Sequence, residues 1–133
     1  EKSGQQRDVV MTGAVPTGVL PAAYAAGDVF AMPCRTRNRG LDLEGLGIVY
    51  LEASASGIPV IVGDSGGAPD AVIDGTTGFV VDGRTSDQSV ARISQLLSDP
   101  AKARAMGAAG RAWIETSWQW DSSAAKLTSM LAG

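Results

Sequence analysis

The chain has 133 residues, 44 % of them hydrophobic and 19 % charged, with a formal net charge of −3. These figures exclude intrinsic disorder and a nucleic-acid partner held by bulk positive charge, and they suit one domain or part of one. There is no histidine and a single cysteine, Cys34, which excludes histidine-based catalysis, an internal disulfide and a metal site built from cysteine alone. No stretch approaches the ~18 apolar residues of a membrane span, and no signal peptide is visible. The chain begins at Glu1 rather than at methionine and reads as a fragment or a processed product.

Residues 1–7 are polar and carry no pattern. Val9-Val10-Met11, ending at Gly13, reads as a first buried strand. Thr17 to Ala26 places Leu20 and Tyr24 at helical spacing, so a helix with both facing the core is expected. Val29 to Met32 reads as a second strand, stopped by Pro33. Residues 34–46 form a long loop rich in arginine and glycine. A short buried helix follows from Ile48 to Ala55, with Gly57 as its C-terminal cap. Pro59 to Val62 reads as a third strand. Gly63 to Pro69 is a glycine-rich loop leading into a helical turn through about Ile73. Gly78 to Val81 reads as a fourth strand. The remainder is helical: Ser86 to about Leu97, Pro100 to about Met106, Ala108 to about Glu115, and Asp121 to about Leu131.

The expected strands are short, β-branched and continuously apolar, with helical patterns between most of them. That is the pattern of an α/β protein, a Rossmann-like parallel sheet with helices on both faces. Ligands of such sheets bind beyond the carboxyl ends of the strands. The loops in that position are Gly13–Pro16, Pro33–Gly47 and Gly63–Pro69.

Within them the stretch Glu44-Gly-Leu-Gly-Ile-Val-Tyr-Leu-Glu52 stands out, with two carboxylates eight positions apart. Gly45 and Gly47 disfavour helix, at about 1 kcal/mol each relative to alanine. Glu44 is therefore expected on a loop before a helix, and Glu52 inside that helix among apolar residues, where a carboxylate needs a partner or a ligand. The free N–H groups at Gly47, Ile48 and Val49 would form an anion site between the two acceptors. A sugar nucleotide, with a diphosphate between two hydroxyl-rich groups, has that layout.

The pattern Glu-x7-Glu followed by Ala-x-Ala-x-Gly-x-Pro-Val-Ile resembles the retaining glycosyltransferases of the GT-B fold, in their C-terminal nucleotide-sugar domain. The likeness covers nearly the whole chain. It includes Gly13 and Val15 after the first expected strand, Tyr24, Asp28 and Phe30, and the Ser65-Gly66-Gly67-Ala68-Pro69 loop. Phe30-Ala-Met-Pro-Cys-Arg-Thr-Arg37 and Gly45 to Glu52 are most similar to actinobacterial phosphatidylinositol mannosyltransferases that use GDP-mannose. The resemblance implies that Glu44 is the catalytic-centre carboxylate and holds hydroxyls of the donor sugar. It implies that Gly45, Leu46, Gly47, Ile48 and Val49 line the sugar and diphosphate, that Glu52 holds the ribose, and that the backbone at Gly13, Ala14 and Val15 meets the base. It further implies transfer with retention that needs neither metal nor cofactor, the departing diphosphate helping to activate the acceptor hydroxyl.

Arg35, Arg37 and Arg39 alternate along the loop. They suit either a solvated basic loop or, through Arg35 and Arg37, contact with a donor phosphate or an anionic lipid head group. Ser65-Gly66-Gly67 reads as a structural turn whose amides line the cleft. Asp70 departs from the glutamate frequent in the family. Cys34 reads as a small, partly buried residue rather than a catalytic thiol. Trp113, Trp118 and Trp120 read as packing anchors rather than a sugar-stacking platform.

The expected organisation is the later part of the nucleotide-sugar domain over residues 1–117 and a C-terminal helix over 118–133. The family's acceptor-binding N-terminal domain and its phosphate-clamping Arg and Lys have no counterpart here, so the chain alone is expected to be inactive. The expected function is the donor-binding part of an enzyme moving mannose from GDP-mannose to a phosphatidylinositol mannoside. Another nucleotide sugar or glycolipid acceptor, or a non-catalytic nucleotide-binding module, are the alternatives. The lack of Gly-x-Gly-x-x-Gly after a first strand argues against an unrelated Rossmann-type dehydrogenase fragment. The lipid-linked acceptor would reach the enzyme through the missing domain. That makes membrane contact indirect, in a cytoplasmic protein peripheral at the inner face of the plasma membrane when full length.

Overall fold

The computed structural model describes residues 8–132. Residues 1–7 and Gly133, the ends of the two expected domains, lie outside the described residues.

Three strands, β1 (Phe30–Met32), β2 (Val60–Gly63) and β3 (Gly78–Val81), form a parallel sheet in the order β1-β2-β3. Phe30 pairs with Val60, and Val60 with Gly78. Every residue of β2 is buried, as its unbroken Val-Ile-Val run requires of a central strand. Alternate residues serve opposite faces. Val60 and Val62 pack with Tyr50, Ala53 and Ala71, whereas Ile61 packs with Phe79, Val81, Leu96 and Met106. The first face is covered by α1 (Leu20–Ala25) and α2 (Ile48–Ala55), and the second by α3 (Asp87–Ser98) and α4 (Pro100–Ser117).

The expected first strand is not formed. Val9, Val10 and Met11 take no regular structure and are 61–89 % exposed. A short apolar run becomes a strand only where a neighbour completes its hydrogen bonds, and here it pairs with none of the three strands.

The expected helix from Thr17 is a 3₁₀ turn, Thr17–Val19, running into α1. Leu20 and Tyr24 are half-buried. The helical turn after the second glycine loop is a single 3₁₀ turn, Ala68–Ala71.

The two helices expected either side of Gly107 are one helix, α4. Gly107 is buried, and a Cβ there would run into the carbonyl of Gly57. The glycine serves close packing of α4 on the end of α2, which overrides its poor helix propensity.

The last helix, α5 (Trp120–Ala132), contributes no buried residue. Trp113 and Trp118 are half-buried and meet edge to face at 5.7 Å. Trp120 is 87 % exposed, which corrects its reading as a packing anchor. It stands at the first position of a helix with no buried residue and borders an open apolar groove, so its ring stays largely in solvent.

Candidate functional site at the carboxyl edge of the sheet

The loops that follow β1, β2 and β3 meet at one edge. Residues 33–47 leave β1, cross that edge and enter α2. Gly47 caps α2 in the left-handed region, at φ 75° and ψ 69°. A Cβ there would strike the ring of Tyr50, so only glycine fits. As at any helix start, the N–H groups of Ile48 and Val49 have no backbone acceptor among the described residues, while that of Tyr50 bonds to the carbonyl of Gly47. The start of α2 is therefore an electropositive end, with Glu44 ahead of it and Glu52 behind it on the helix.

Glu44 is half-buried, and its side chain turns back to accept from the N–H of Gly45 at 3.2 Å. Its backbone is fixed by the loop after β2. The N–H of Glu44 donates to Oγ of Ser65 at 3.4 Å, and its carbonyl accepts from Gly67 at 3.1 Å. Ser65 is buried and shares a hydrogen bond of 3.0 Å with the Thr36 hydroxyl. Gly66 sits at φ 55°, and a Cβ on it would run into the carbonyl of Glu44, as one on Gly67 would into that of Gly45. The two glycines thus let the backbone of residues 44–45 lie directly on the 65–67 loop.

A cavity of about 310 Å³ opens here, and its lining includes Cys34, Arg35, Arg37, Asp42, Glu44 and Gly83. The structure brings Arg35 and Arg37 together with Glu44. Arg39 lies in the 3₁₀ turn Asn38–Gly40, at φ 56°, and does not line the cavity. Cys34 is half-buried, with its sulfur 3.3 Å from the Tyr50 hydroxyl. That hydroxyl donates to the carbonyl of Met32 at 2.8 Å, and burial pushes its pKa far up.

Glu52 departs from the expected apolar setting. Tyr50, Ala53 and Ser54 form the buried face of α2, while Ile48, Glu52 and Ala55 fall on the exposed one. The partner of Glu52 is Tyr24, whose hydroxyl donates to Oε2 at 2.9 Å. Burial, and then this bond to a carboxylate, push the Tyr24 pKa up to about 12. Glu52 stands between two grooves. One of about 350 Å³ includes Thr17, Leu20 and Tyr24; an apolar one of about 420 Å³ includes Leu46, Ile48, Leu51 and Trp118.

Gly13, Ala14 and Val15 lie on an irregular segment before the first 3₁₀ turn, with Val15 half-buried. None of the three lines the cavity at Glu44 or the groove at Tyr24 and Glu52. Leu46 and Ile48 border the apolar groove, and Val49 packs against the core.

The family model for glycosyl transferases group 1 matches residues 1–113. The chain belongs to this family. A GDP-mannose-dependent alpha-(1-6)-phosphatidylinositol monomannoside mannosyltransferase of Mycolicibacterium smegmatis is 55 % identical over 130 residues, 98 % of this chain and 34 % of that protein. The protein of the same description from Mycobacterium tuberculosis is 58 % identical over 125 residues, 94 % of this chain and 32 % of that protein. The chain thus spans about a third of the length of these curated relatives.

Among solved structures, sucrose-phosphate synthase of Thermosynechococcus elongatus matches with a TM-score of 0.84 and 28 % identity, over 96 % of this chain and 30 % of that one. The C-terminal domain of a glycosyl transferase group 1 protein of Francisella tularensis matches with a TM-score of 0.70 and 24 % identity, over 83 % of this chain and 53 % of that one. The fold is that of a GT-B glycosyltransferase C-terminal domain.

For a group 1 glycosyltransferase, two residues of this edge carry more than their sequence positions announce. Ser65 reads as part of a turn, yet its buried hydroxyl holds the Glu44 loop. Tyr24 reads as a core residue, yet its hydroxyl meets Glu52. Neither pairing has a local sequence signal, because each joins segments far apart in the chain.

Proposed function

We propose that the chain is the donor-binding part of a retaining glycosyltransferase that moves mannose from GDP-mannose to a phosphatidylinositol mannoside glycolipid. The observation that carries this reading is identity of 55 % and 58 % to mannosyltransferases of that description, over nearly the whole of this chain. The geometry supports it. An electropositive helix start, between a carboxylate on a pinned loop and a carboxylate on the helix, matches a ligand with a diphosphate between sugar and ribose.

In this reading Glu44 holds hydroxyls of the mannose at the reacting centre, with Gly45 to Gly47 beside it. The N–H groups of Ile48 and Val49 meet the diphosphate, Glu52 takes the ribose, and the backbone of Gly13 to Val15 takes the base. Arg35 and Arg37 offer positive charge for a donor phosphate or an anionic head group. The bond from the mannose anomeric carbon to the diphosphate breaks as the bond to the acceptor oxygen forms on the same face. The acceptor proton passes to the departing phosphate oxygen, so no metal or cofactor is required. The acceptor is bound outside this chain, and membrane contact is indirect. No helix among the described residues is long and apolar enough to cross a membrane.

Calorimetric titration of the full-length enzyme with GDP-mannose, GDP-glucose and UDP-glucose tests the assignment. GDP-mannose should bind most tightly; preference for the UDP-sugar overturns the reading.

A further inference from the structure

We propose that Tyr24 is a positioning residue for nucleotide binding, whose hydroxyl selects the one orientation of Glu52 that receives the ribose. The inference rests on the reading that Glu52 holds that ribose.

Glu52 is exposed and stands between two grooves of different character, so its long side chain has more than one place to go. Among the described residues its carboxylate has one side-chain partner, Tyr24, and no cation pairs with it. The Tyr24 hydroxyl occupies a lone pair of Oε2 and draws the carboxylate toward the groove that Thr17 and Leu20 also line. Oε1 and the remaining lone pair of Oε2 stay open to accept from two neighbouring hydroxyls.

Tyr24 can do this because its own ring is fixed. It meets Phe30 edge to face at 5.6 Å, and Phe30 meets Tyr50 in the same way at 6.0 Å. Tyr50 is fully buried and tethered to the carbonyl of Met32. The row of three rings therefore ties the orientation of Glu52 to the end of β1. Tyr24 is a donor throughout the neutral range, as any phenol is.

A residue that only packs would act through its ring, and Tyr24→Phe keeps the ring. The test is calorimetric binding to the full-length protein of GDP or UDP, whichever the wild type binds more tightly, and of its 2′,3′-dideoxy form. Tyr24→Phe should weaken binding of the nucleotide about tenfold, the low end for a hydrogen bond to a charged group. Binding of the dideoxy form should not change, and Glu52→Ala should behave in the same way.

If Glu52→Ala weakens nucleotide binding and Tyr24→Phe does not, the role of Tyr24 is overturned while the ribose role of Glu52 stands. If Tyr24→Phe weakens both ligands equally, its role is structural and the proposal is overturned. If Glu52→Ala leaves nucleotide binding unchanged, the ribose reading falls and this proposal with it.

Discussion

The N–H of Glu44 donates to the buried hydroxyl of Ser65, and that bond joins the loop after β1 to the loop after β2. Ser65 also meets the Thr36 hydroxyl, so one side chain holds two points of the loop that presents Glu44. Ser65→Ala removes both. We expect a loss of about 1 kcal/mol in unfolding free energy, measured by urea titration, because a part-buried N–H loses its acceptor. Donor KM should rise alongside, since the loop is less well fixed.

Gly67→Ala tests the close approach of the two loops more severely. The added Cβ meets the carbonyl of Gly45, a backbone atom that cannot swing aside as a flexible side chain would. The 44–46 segment must shift. A displacement of about 1 Å at a reacting centre can cost on the order of a hundredfold in rate. Transfer should fall by about that factor while circular dichroism, which reports the helices, stays as in the wild type.

Gly107→Ala gives an opposition of signs. Helix propensity alone predicts a gain of about 1 kcal/mol. The Cβ, however, would enter the backbone of Gly57 and Ile58 beneath α4, and overpacking of this kind costs about 1–3 kcal/mol. Packing should win, and the melting temperature should fall. A rise would mean that α4 sits less closely on α2 than described.

The Tyr24 phenol gives a pH signature. Its folded pKa, about 12, lies above the ordinary value of 10. Between those values the folded chain holds a proton that the unfolded chain releases. The stabilisation is therefore complete below pH 10 and is lost as pH rises through about 12. In urea titrations across that window the wild type should lose stability more steeply than Tyr24→Phe. Equal slopes would contradict the raised pKa that burial, and then the bond to Glu52, give this phenol.

Much of this was legible in the sequence where burial is two-sided. The Val-Ile-Val of β2 and the Gly-Phe-Val-Val of β3 are apolar throughout because helices cover both faces, and α2 runs from Ile48 to Ala55 as its residues suggest. Val9 to Met11 has the same composition without a paired neighbour, and composition cannot report a partner. Gly107 misled because a glycine inside a helical pattern reads as a break, whereas here it makes room for another backbone.

At the site, the Glu44 loop and the Gly47 cap follow from local chemistry. The exposure of Glu52 was not readable, because Ile48 and Ala55 on its face of α2 are as apolar as the residues that the helix buries. The contacts from Ser65 to Glu44 and from Tyr24 to Glu52 depend on how distant loops dock, which no local pattern records.

The most direct test is transfer itself. Full-length wild type and Glu44→Ala are assayed for labelled mannose passing from GDP-mannose to a phosphatidylinositol mannoside, with folding checked by circular dichroism. The account predicts transfer by the wild type and a loss of about a hundredfold or more in the folded variant, the scale of removing one preorganised group at a reacting centre. Undiminished transfer by Glu44→Ala would contradict it.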